Sequence, residues 1–440
     1  MKKKLSTENL HQLFIEQNQK ICTDTRQIIP DSIFFALSGE NFNGNQFAKH
    51  ALEKGCRYAI VDDDNLTQND NIFLVENVLS SLQQLAAFHR EKYKIPVLAI
   101  TGSNGKTTTK ELLNAVLSKK FNTLATKGNL NNHIGVPLTL LQLNEKHDFA
   151  IVEMGANHQK EIHSLCEIAN PDFGIITNIG KAHLEGFGGI EGVKKGKGEL
   201  FDFISAKGGK VFINGDDKTL SEMSAKLDKI TYGTTKLFDV VGQTITSDTY
   251  LSFRWKTRYT ASELKTAETV QSKLVGNYNL SNLLCAAAVG NFFKVSEADI
   301  NQAITEYVPE NNRSQLFKSP KNELILDMYN ANPTSMEAAI ENFAKMKSEN
   351  KIVILGDMLE LGEESGAEHE TIFNLAQQKK FEQMFLVGPS FHSLTSKENG
   401  IFFPNAEHAL EYLKEKKLEG KTILIKGSRG TKLETLLTAL

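Results

Sequence analysis

A short apolar strand, a turn with two glycines and a helical pattern follow one another between Val97 and Leu117, and this succession limits the possible folds more than any other feature of the chain. Val97–Ile100 predicts a buried strand, and the residues from Lys106 onward predict a helix. Backbone N–H groups at such a helix N-terminus carry partial positive charge and bind phosphate. The segment therefore predicts an α/β unit that binds a nucleoside triphosphate, with phosphate contacts from Gly102, Ser103, Asn104, Gly105, Lys106, Thr107 and Thr108.

Two side chains in this loop have distinct expected roles. The Lys106 ammonium would reach the β- and γ-phosphate oxygens, and the Thr107 hydroxyl would ligate Mg²⁺. The longer form of the motif has a further glycine five residues before Gly105, where this chain has Ile100. The match is therefore to the shorter Gly-x-x-Gly-Lys-Thr-Thr form. The alternative interpretation is a βα turn that carries a lysine by chance.

Length and composition exclude several classes of protein. A chain of 440 residues suggests about three domains, at a prior of roughly 150 residues each. The net charge of −3 provides no basic surface for a nucleic-acid backbone. Four cysteines without a CxxC pair favour neither a disulfide scaffold nor a zinc site. No apolar run approaches the ~18 residues that span a membrane. We therefore expect a cytoplasmic monomer without nucleic-acid or membrane partners.

Apolar segments alternate with helical patterns along most of the chain, which predicts α/β domains built around mainly parallel sheets. A helical pattern stops before Pro96, and the polar segment Val308–Asn312 contains a second proline. These breaks predict domains at residues 1–94, 95–309 and 310–440. Residues 231–272 are rich in Thr, Ser and aromatic residues and predict antiparallel strands. The other predicted strands are Ser32–Leu37, Tyr58–Asp62, Val97–Thr101, Phe149–Met154, Gly174–Asn178, Lys210–Asn214, Leu324–Asp327, Ile352–Leu355 and Thr422–Ile425, and the predicted helices include Leu79–Tyr93 and Leu280–Phe293.

Three polar residues beyond the loop are candidates for chemistry. Glu153 lies at a predicted strand end, where ligands of open α/β sheets bind, and its carboxylate suits Mg²⁺. His183 follows another strand end, although a single histidine more often has a structural role. Lys197 stands in a lysine cluster, Lys194-Lys-Gly-Lys197, of the kind that usually forms a solvated helix face.

Taken together, these segments resemble the Mur ligase family along essentially the whole chain. Its ATP loop is similar to Thr101–Thr109, and four further motifs follow in the family's order: Glu153–His158, Thr177–Glu185, Lys197–Phe201 and Gly276–Asn282. The resemblance implies a small α/β uridine-nucleotide domain, a central P-loop-type parallel-sheet domain and a C-terminal Rossmann-like domain.

Other segments resemble the members of this family that add D-alanyl-D-alanine to a UDP-N-acetylmuramoyl-tripeptide. They are Asp327–Met336, Leu355–Gly362, Lys426–Gly430, Thr23–Arg26, Pro30–Leu37 and Gly128–Pro137. The implied reaction is ATP-dependent ligation through an acyl phosphate. The third residue of the tripeptide, lysine or diaminopimelate, is left open.

The resemblance also implies roles for individual residues. Lys106, Glu153, His183 and Lys197 would be catalytic, with two Mg²⁺ ions held by Thr107, Glu153, His183 and a carbamate on Lys197. ATP would also contact Asn279, Asn282, Arg313 and Asp327. The two asparagines are three residues apart and are expected on one helix face beside the adenine. The UDP substrate would contact Thr25, Arg26, Asn43, Asn129 and Asn132, and D-alanyl-D-alanine would lie near Tyr329, Asn330 and Asn332.

Two residues depart from the family pattern, and three alternative functions compete. Tyr278 and Asn45 stand where the family often has histidine. The alternatives are a ligase that adds a single amino acid, a folate-polyglutamating relative and a non-catalytic nucleotide-binding regulator. The block Tyr329–Pro333 argues against the first, and the roughly 95 residues before the loop argue against the second. The complete set of Lys106, Thr107, Glu153, His183 and Lys197 argues against the third.

Overall fold

The computed structural model describes residues 4–66, 69–245, 249–260, 263–310, 312–395 and 397–440, which form an α/β structure as predicted. Within these residues the helices are α1 Thr7–Glu16, α2 Ala48–Glu53, α3 Val78–Glu91, α4 Lys106–Leu117, α5 Gly135–Leu140, α6 Glu161–Ala169, α7 Leu184–Phe187, α8 Ile190–Ala206, α9 Lys218–Met223, α10 Leu280–Phe292, α11 Glu297–Glu306, α12 Pro333–Lys345, α13 Ser365–Gln378, α14 Pro389–His392 and α15 Ala406–Lys416.

The strands follow the same alternation. They are β1 Ile21–Cys22, β2 Ile33–Phe35, β3 Ser38–Gly39, β4 Phe42–Asn43, β5 Tyr58–Val61, β6 Ile72–Leu74, β7 Val97–Thr101, β8 Thr123–Ala125, β9 Phe149–Glu153, β10 Phe173–Ile176, β11 Lys210–Asn214, β12 Lys229–Gly233, β13 Val240–Ile245, β14 Tyr250–Thr257, β15 Val270–Val275, β16 Gln315–Lys318, β17 Glu323–Asp327, β18 Lys351–Gly356, β19 Gln383–Val387, β20 Ile401–Phe403 and β21 Thr422–Lys426.

The chain divides into two compact units. The first contains Met1–Ile100, Phe121–Ala156 and Lys160–Gly174. Its parallel sheet has the strand order β1-β2-β5-β6, with a core that includes Phe34, Ala59 and Val61. Helix α3 begins where the Asn77 side chain accepts the backbone N–H of Ser80, and it buries an apolar face. In a second group of parallel strands, β9 lies between β7 and β8, so that Glu153 aligns with Ile100.

The second unit contains Thr101–Lys120, Asn157–Gln159 and Ile175–Leu440. Here β11, β12 and β13 are parallel neighbours, and β14 and β15 continue the sheet in antiparallel register. Helix α10 is buried along most of its length, and it packs against α4 because Gly290 lets the helices approach. A Cβ atom at Gly290 would lie 2.5 Å from Cγ1 of Val116. This packing supports the helix that follows the phosphate loop.

A six-stranded sheet in the second unit has the order β16-β17-β21-β18-β19-β20, and only β16 is antiparallel to its neighbour. Its core contains large aliphatic side chains such as Leu324, Ile354 and Ile425, each of which contributes about 1.5–3 kcal/mol when buried. Strands β17, β18 and β21 end at one edge, so the segments that follow them emerge together. We call Asp357–Gly362, after β18, the β18 loop.

The structure confirms most of the predicted elements and corrects one. Strands β7 and β11 have their predicted bounds, and α10 differs from the prediction by one residue. The prediction of antiparallel strands throughout 231–272 is wrong for β12, which is parallel to both neighbours. β12 and β13 extend the parallel part of the sheet, and the strand direction reverses only at β14. Met1–Lys3, residues 246–248 and 261–262, and Asn311 in the predicted boundary at Val308–Asn312 lie outside the described residues.

Candidate active site

Two glycines give the phosphate loop its shape. Gly102 has a φ of 141° and Gly105 a φ of 79°, both in the range that disfavours side chains. A Cβ atom at Gly102 would also lie 2.0 Å from Oγ1 of Thr177. The conformation of the loop therefore requires glycine at both positions, as the motif predicted.

Hydrogen bonds to the segment Thr177–Gly180 hold the loop. The backbone N–H of Ser103 donates to the carbonyl of Asn178, and the Ser103 hydroxyl donates to the carbonyl of Gly180. The Asn104 N–H donates to Oδ1 of Asn178 over 3.0 Å, while the Thr177 hydroxyl donates to the Asn104 carbonyl over 2.6 Å. Ser103 and Asn104 each bond to the segment Thr177–Gly180, and these bonds hold the loop against that segment.

The helix that follows the loop presents the groups expected at a phosphate site. Lys106 begins α4, and its ammonium donates to the carbonyl of Gly102 over 2.6 Å, which places the charge directly over the loop. The first four N–H groups of an α-helix have no carbonyl partner within the helix. Thr107 and Thr108 are buried in this first turn. The arrangement offers a cation, helix amides and hydroxyl oxygens to a polyphosphate.

Asn279 and Asn282 connect the loop helix to α10, and their side chains lie side by side, although only Asn282 is a residue of α10. Asn279 lies in a 3₁₀ turn before α10, because Gly276 delays the start of the helix with a φ of 100°. The Asn282 amide donates to Oδ1 of Asn279, and Oδ1 of Asn282 accepts the Thr109 hydroxyl over 3.1 Å. Both side-chain amides thus already form hydrogen bonds within the protein, and their contact with adenine stays a prediction.

Glu153 is a buried carboxylate at the end of β9 in the first unit, with 1% of its surface exposed. Its Oε1 accepts the Asn131 amide over 2.8 Å, and its backbone N–H donates to the Thr126 hydroxyl. Asn131 belongs to the segment Gly128–Pro137 but was not among the predicted site residues. A buried carboxylate needs such donors or a cation, because desolvation of the charge is costly.

The side chains of His183 and Glu360 contact each other in the second unit. Nδ1 of His183 lies against the Glu360 carboxylate, and within the described residues it has no partner of good hydrogen-bond angle. The contact holds the pKa of the Glu360 carboxyl below its ordinary value. Both residues have left-handed backbones, with φ values of 55° and 64°, which is uncommon outside glycine. Sequence reasoning missed Glu360, because no local pattern connects it with His183.

Lys197 is fully buried on α8, whereas Lys194 and Lys195 in the same cluster are not buried. Its Nζ lies 5.0 Å from the ring centroid of Phe187, which also packs against Gly196. The solvated-face interpretation is therefore wrong for Lys197 itself. A wholly buried lysine is rare without compensation of its charge.

The residues of the 310–440 region that are predicted to face the nucleotide already have partners. The Asp327 carboxylate accepts the Lys426 ammonium over 2.6 Å. The Arg313 guanidinium lies over the Tyr329 ring at 3.7 Å, and Asn330 is exposed beside them. Tyr278 is partly buried, desolvation raises the pKa of its hydroxyl, and that hydroxyl is 3.0 Å from that of Ser314. Protein contacts thus engage the charges of Arg313 and Asp327, and their contacts with ATP stay a prediction.

An amide pair joins the phosphate loop to the segment after β17. The Asn332 amide donates to Oδ1 of Asn104 over 2.7 Å, and the Asn104 amide returns a bond of 3.3 Å. Asn332 also caps α12, with Pro333 as the first helical residue and a reciprocal bond with Ser335. The predicted acceptor region and the predicted ATP loop therefore touch.

The residues predicted to bind the UDP substrate belong to the first unit, where Asn43 ends β4 and the others lie on loops. The Arg26 guanidinium is 87% exposed and bonds to the neighbouring Asp24, while Thr25 is partly buried. The Asn43 and Asn132 side chains accept backbone N–H groups of following residues, and Asn129 is exposed. The Asn45 amide, one of the two departures, donates to Asp62 over 2.7 Å. Asn45 therefore supports the fold of this loop.

No group of three or more His, Cys, Asp and Glu side chains comes together among the described residues in a way that could bind a metal ion. Among the predicted ligands only Glu153 and His183 are residues of these types. The predicted metal site would therefore not form such a group. None of the helices in this part of the chain is both long and apolar enough to cross a membrane.

Comparison with known families gives two matches along the chain. The description "Mur ligase middle domain" applies to residues 100–290, and "Mur ligase, glutamate ligase domain" applies to residues 312–429. The UDP-N-acetylmuramoyl-tripeptide--D-alanyl-D-alanine ligase of Bacillus subtilis is 32% identical over 431 residues, which are 96% of this chain and 92% of that protein. The ligase of the same name from Escherichia coli is 34% identical over 431 residues, with 96% and 93% covered.

Solved structures give the same result for the fold. The crystal structure of MurF from Acinetobacter baumannii matches with a TM-score of 0.86 and 31% identity over 97% of both chains. The MurF ligase of Thermotoga maritima in complex with ADP matches with a TM-score of 0.84 over 96% of this chain and 97% of that one. At 24% identity, this second likeness supports the fold alone.

Proposed function

The chain belongs to the Mur ligase family, and we propose that it joins D-alanyl-D-alanine to UDP-N-acetylmuramoyl-tripeptide with consumption of ATP. The products are the UDP-linked pentapeptide of peptidoglycan synthesis, ADP and phosphate. The observation that carries this proposal is the amide pair of Asn104 and Asn332. It places the ATP loop against Tyr329–Pro333, a segment whose sequence resembles that of D-alanyl-D-alanine-adding members.

The reaction has two steps. A carboxylate oxygen of the tripeptide attacks the γ-phosphorus of ATP, the bond to the bridging oxygen breaks, and ADP leaves with an acyl phosphate remaining. The neutral amine of the dipeptide then attacks the acyl carbon, phosphate leaves, and the amine loses a proton. The Lys106 ammonium and the amides of α4 would offset the repulsion between the carboxylate and the polyphosphate.

We propose Mg²⁺ as the partner of these phosphates, because the available donors fit it. The Thr107 hydroxyl and the Glu153 carboxylate are hard oxygen donors, and His183 has a second ring nitrogen beyond the one facing Glu360. For Glu153, which lies in the first unit, the assignment depends on the family resemblance. Bound Mg²⁺ would neutralise phosphate charge and hold the in-line geometry.

We propose that Lys197 carries a carbamate. The reaction of its neutral amine with CO₂ forms an N–C bond and releases a proton, so that a cation becomes an anion. The burial of Lys197 supports this proposal, because an anionic carbamate can be compensated by a nearby metal ion, whereas an ammonium would repel it.

The remaining assignments depend on the resemblance. They comprise the ATP contacts of Asn279, Asn282, Arg313 and Asp327, the UDP-substrate contacts in the first unit, and the domains at 1–94, 95–309 and 310–440. We place the reaction in the cytoplasm, where ATP is available, and propose a monomer. A ligase that adds a single amino acid is disfavoured by Tyr329–Pro333.

Phosphate release tests the proposed acceptor. The purified protein would receive ATP, Mg²⁺ and a UDP-tripeptide that ends in lysine or in diaminopimelate. Release is expected with D-alanyl-D-alanine and not with D-glutamate, L-lysine or D-alanine. Release that depends on one of the single amino acids would overturn the acceptor assignment. Absence of acceptor-dependent release with both tripeptides would favour a non-catalytic regulator.

A further inference from the structure

The contact between His183 and Glu360 joins the predicted metal ligand to a loop that emerges from a different sheet. Glu360 lies in the β18 loop, whereas His183 follows β10 and caps α7. The carboxylate faces Nδ1 of the imidazole, which leaves Nε2 as the nitrogen that can bind a cation. Metal-binding histidines commonly donate their other ring N–H to a carboxylate, which fixes the tautomer and the ring orientation.

The backbones of the two loops are also bonded at this point. The Glu185 N–H donates to the Glu360 carbonyl over 3.4 Å, and a Cβ atom at Gly362 would lie 3.4 Å from Cβ of Glu185. Glu360 and His183 both have left-handed backbones, which cost energy in non-glycine residues and require support from their surroundings. The backbone bond from Glu185 and the side-chain contact with His183 therefore both hold Glu360 in place.

Residues far along the chain hold the β18 loop in place. The Met358 N–H donates to Nε2 of the buried His369, whose Nδ1 donates to the carbonyl of Ser365. The Leu359 N–H donates to the Ser428 hydroxyl over 3.1 Å. The two residues before Glu360 are thus hydrogen-bonded to α13 and to the segment after β21. These bonds hold the β18 loop independently of His183.

We propose that Glu360 is a positioning residue for His183: its carboxylate fixes the imidazole so that Nε2 is presented to the cation of the active site. This inference rests on the proposed function, because it takes His183 as a metal ligand. It goes beyond that function by making the metal affinity depend on a residue of the 310–440 region. Glu360 itself is not expected to touch the nucleotide.

Binding of Mn²⁺ to the full-length protein, with the β,γ-imido analogue of ATP present, tests the inference without turnover. Free Mn²⁺ would be measured by electron paramagnetic resonance for the parent protein and for Glu360→Gln, Glu360→Ala and His183→Ala. The matched control is Glu363→Ala, which removes an exposed carboxylate from the adjacent turn. Thermal unfolding would show that each variant is folded, which is expected because half of the Glu360 side chain is exposed.

The expected result is a graded loss of affinity. Glu360→Ala should weaken the affected Mn²⁺ site by roughly 10–100-fold, the usual effect of removing such a partner. Glu360→Gln should weaken it less, because an amide oxygen can still face Nδ1 of His183, and Glu363→Ala should leave it unchanged. Unchanged affinity in Glu360→Ala together with a loss in His183→Ala would overturn the positioning role alone. Unchanged affinity in His183→Ala would instead overturn the metal assignment in the proposed function.

Discussion

The phosphate loop and the β18 loop both lie in the second unit and each follows a parallel strand, yet their shapes have different origins. The phosphate loop Thr101–Thr109 depends on its own glycines, since the φ values of Gly102 and Gly105 give the turn its shape. The β18 loop depends on distant residues, with Met358 bonded to His369 and Leu359 to Ser428. A loop that is determined locally can be predicted from its sequence, whereas a loop held by long-range contacts cannot.

The largest expected effect concerns the charge carried by the locally determined loop. Lys106→Ala should lower kcat by roughly 10²–10³-fold, because it removes a cation from the transferring phosphoryl group. The unfolding temperature should change little. Steady-state phosphate release and a thermal melt would measure both quantities, with Lys119→Ala at the other end of α4 as a control. A variant that keeps the parent kcat would exclude Lys106 from the phosphate site.

Lys197→Ala should have a comparably large effect, because it removes the proposed carbamate from a buried position. Short-chain carboxylic acids added to the assay should restore part of the activity by supplying a carboxylate in the space that the side chain vacates. Lys194→Ala, a change outside the buried part of the cluster, should behave like the parent. If Lys197→Ala retained full activity, the proposal of a carbamate would have to be abandoned.

A smaller effect is expected where a long-range contact reaches the phosphate loop. Asn332→Asp keeps an oxygen that can cap α12 but loses the amide that donates to Asn104. Loss of one hydrogen bond of about 0.5–1.5 kcal/mol should lower kcat/KM by roughly 2–13-fold. In a double-mutant cycle with Asn104→Ala, the effects should be non-additive. Simple additivity would show that the two amides act independently.

The smallest effect concerns the support of the β18 loop and its dependence on pH. Burial lowers the pKa of His369, although Asp357 and Glu368 oppose this. Between the lowered pKa and the ordinary value of about 6.5, the unfolded chain binds more protons than the folded chain. The contribution of His369 to the free energy of unfolding should therefore be fully present above about pH 6.5. Below that pH it should fall by at most about 1.4 kcal/mol per pH unit for one proton.

Urea unfolding of the parent and of His369→Gln between pH 5 and 7.5 would measure this dependence. The parent should lose more stability than the variant as the pH falls, and His392→Gln, a change at an exposed residue, should match the parent. His89 in the first unit also has a pKa lowered by burial, so some dependence should remain in every protein. Equal slopes for the parent and His369→Gln would contradict a buried neutral His369.

The same distinction explains which parts of the site could be predicted from the sequence. The strand–loop–helix pattern predicted β7, the loop and α4, because period and glycine content act over a few residues. The burial of Lys197 depends on what packs over α8, and its lysine-rich neighbourhood suggested the opposite. Asn131 and Glu360 were missed because their partners, Glu153 and His183, are distant in sequence. The amide of Asn45 turned out to bond to Asp62, which no local pattern indicates.

The most direct test of the proposed reaction is the fate of the carboxylate oxygens of the tripeptide. A UDP-tripeptide labelled with ¹⁸O in its terminal carboxylate would be converted with ATP and D-alanyl-D-alanine, and the released phosphate would be examined by mass spectrometry. The acyl-phosphate route predicts that each phosphate carries one ¹⁸O, and that it forms together with the pentapeptide. Unlabelled phosphate, with both labelled oxygens elsewhere, would contradict it.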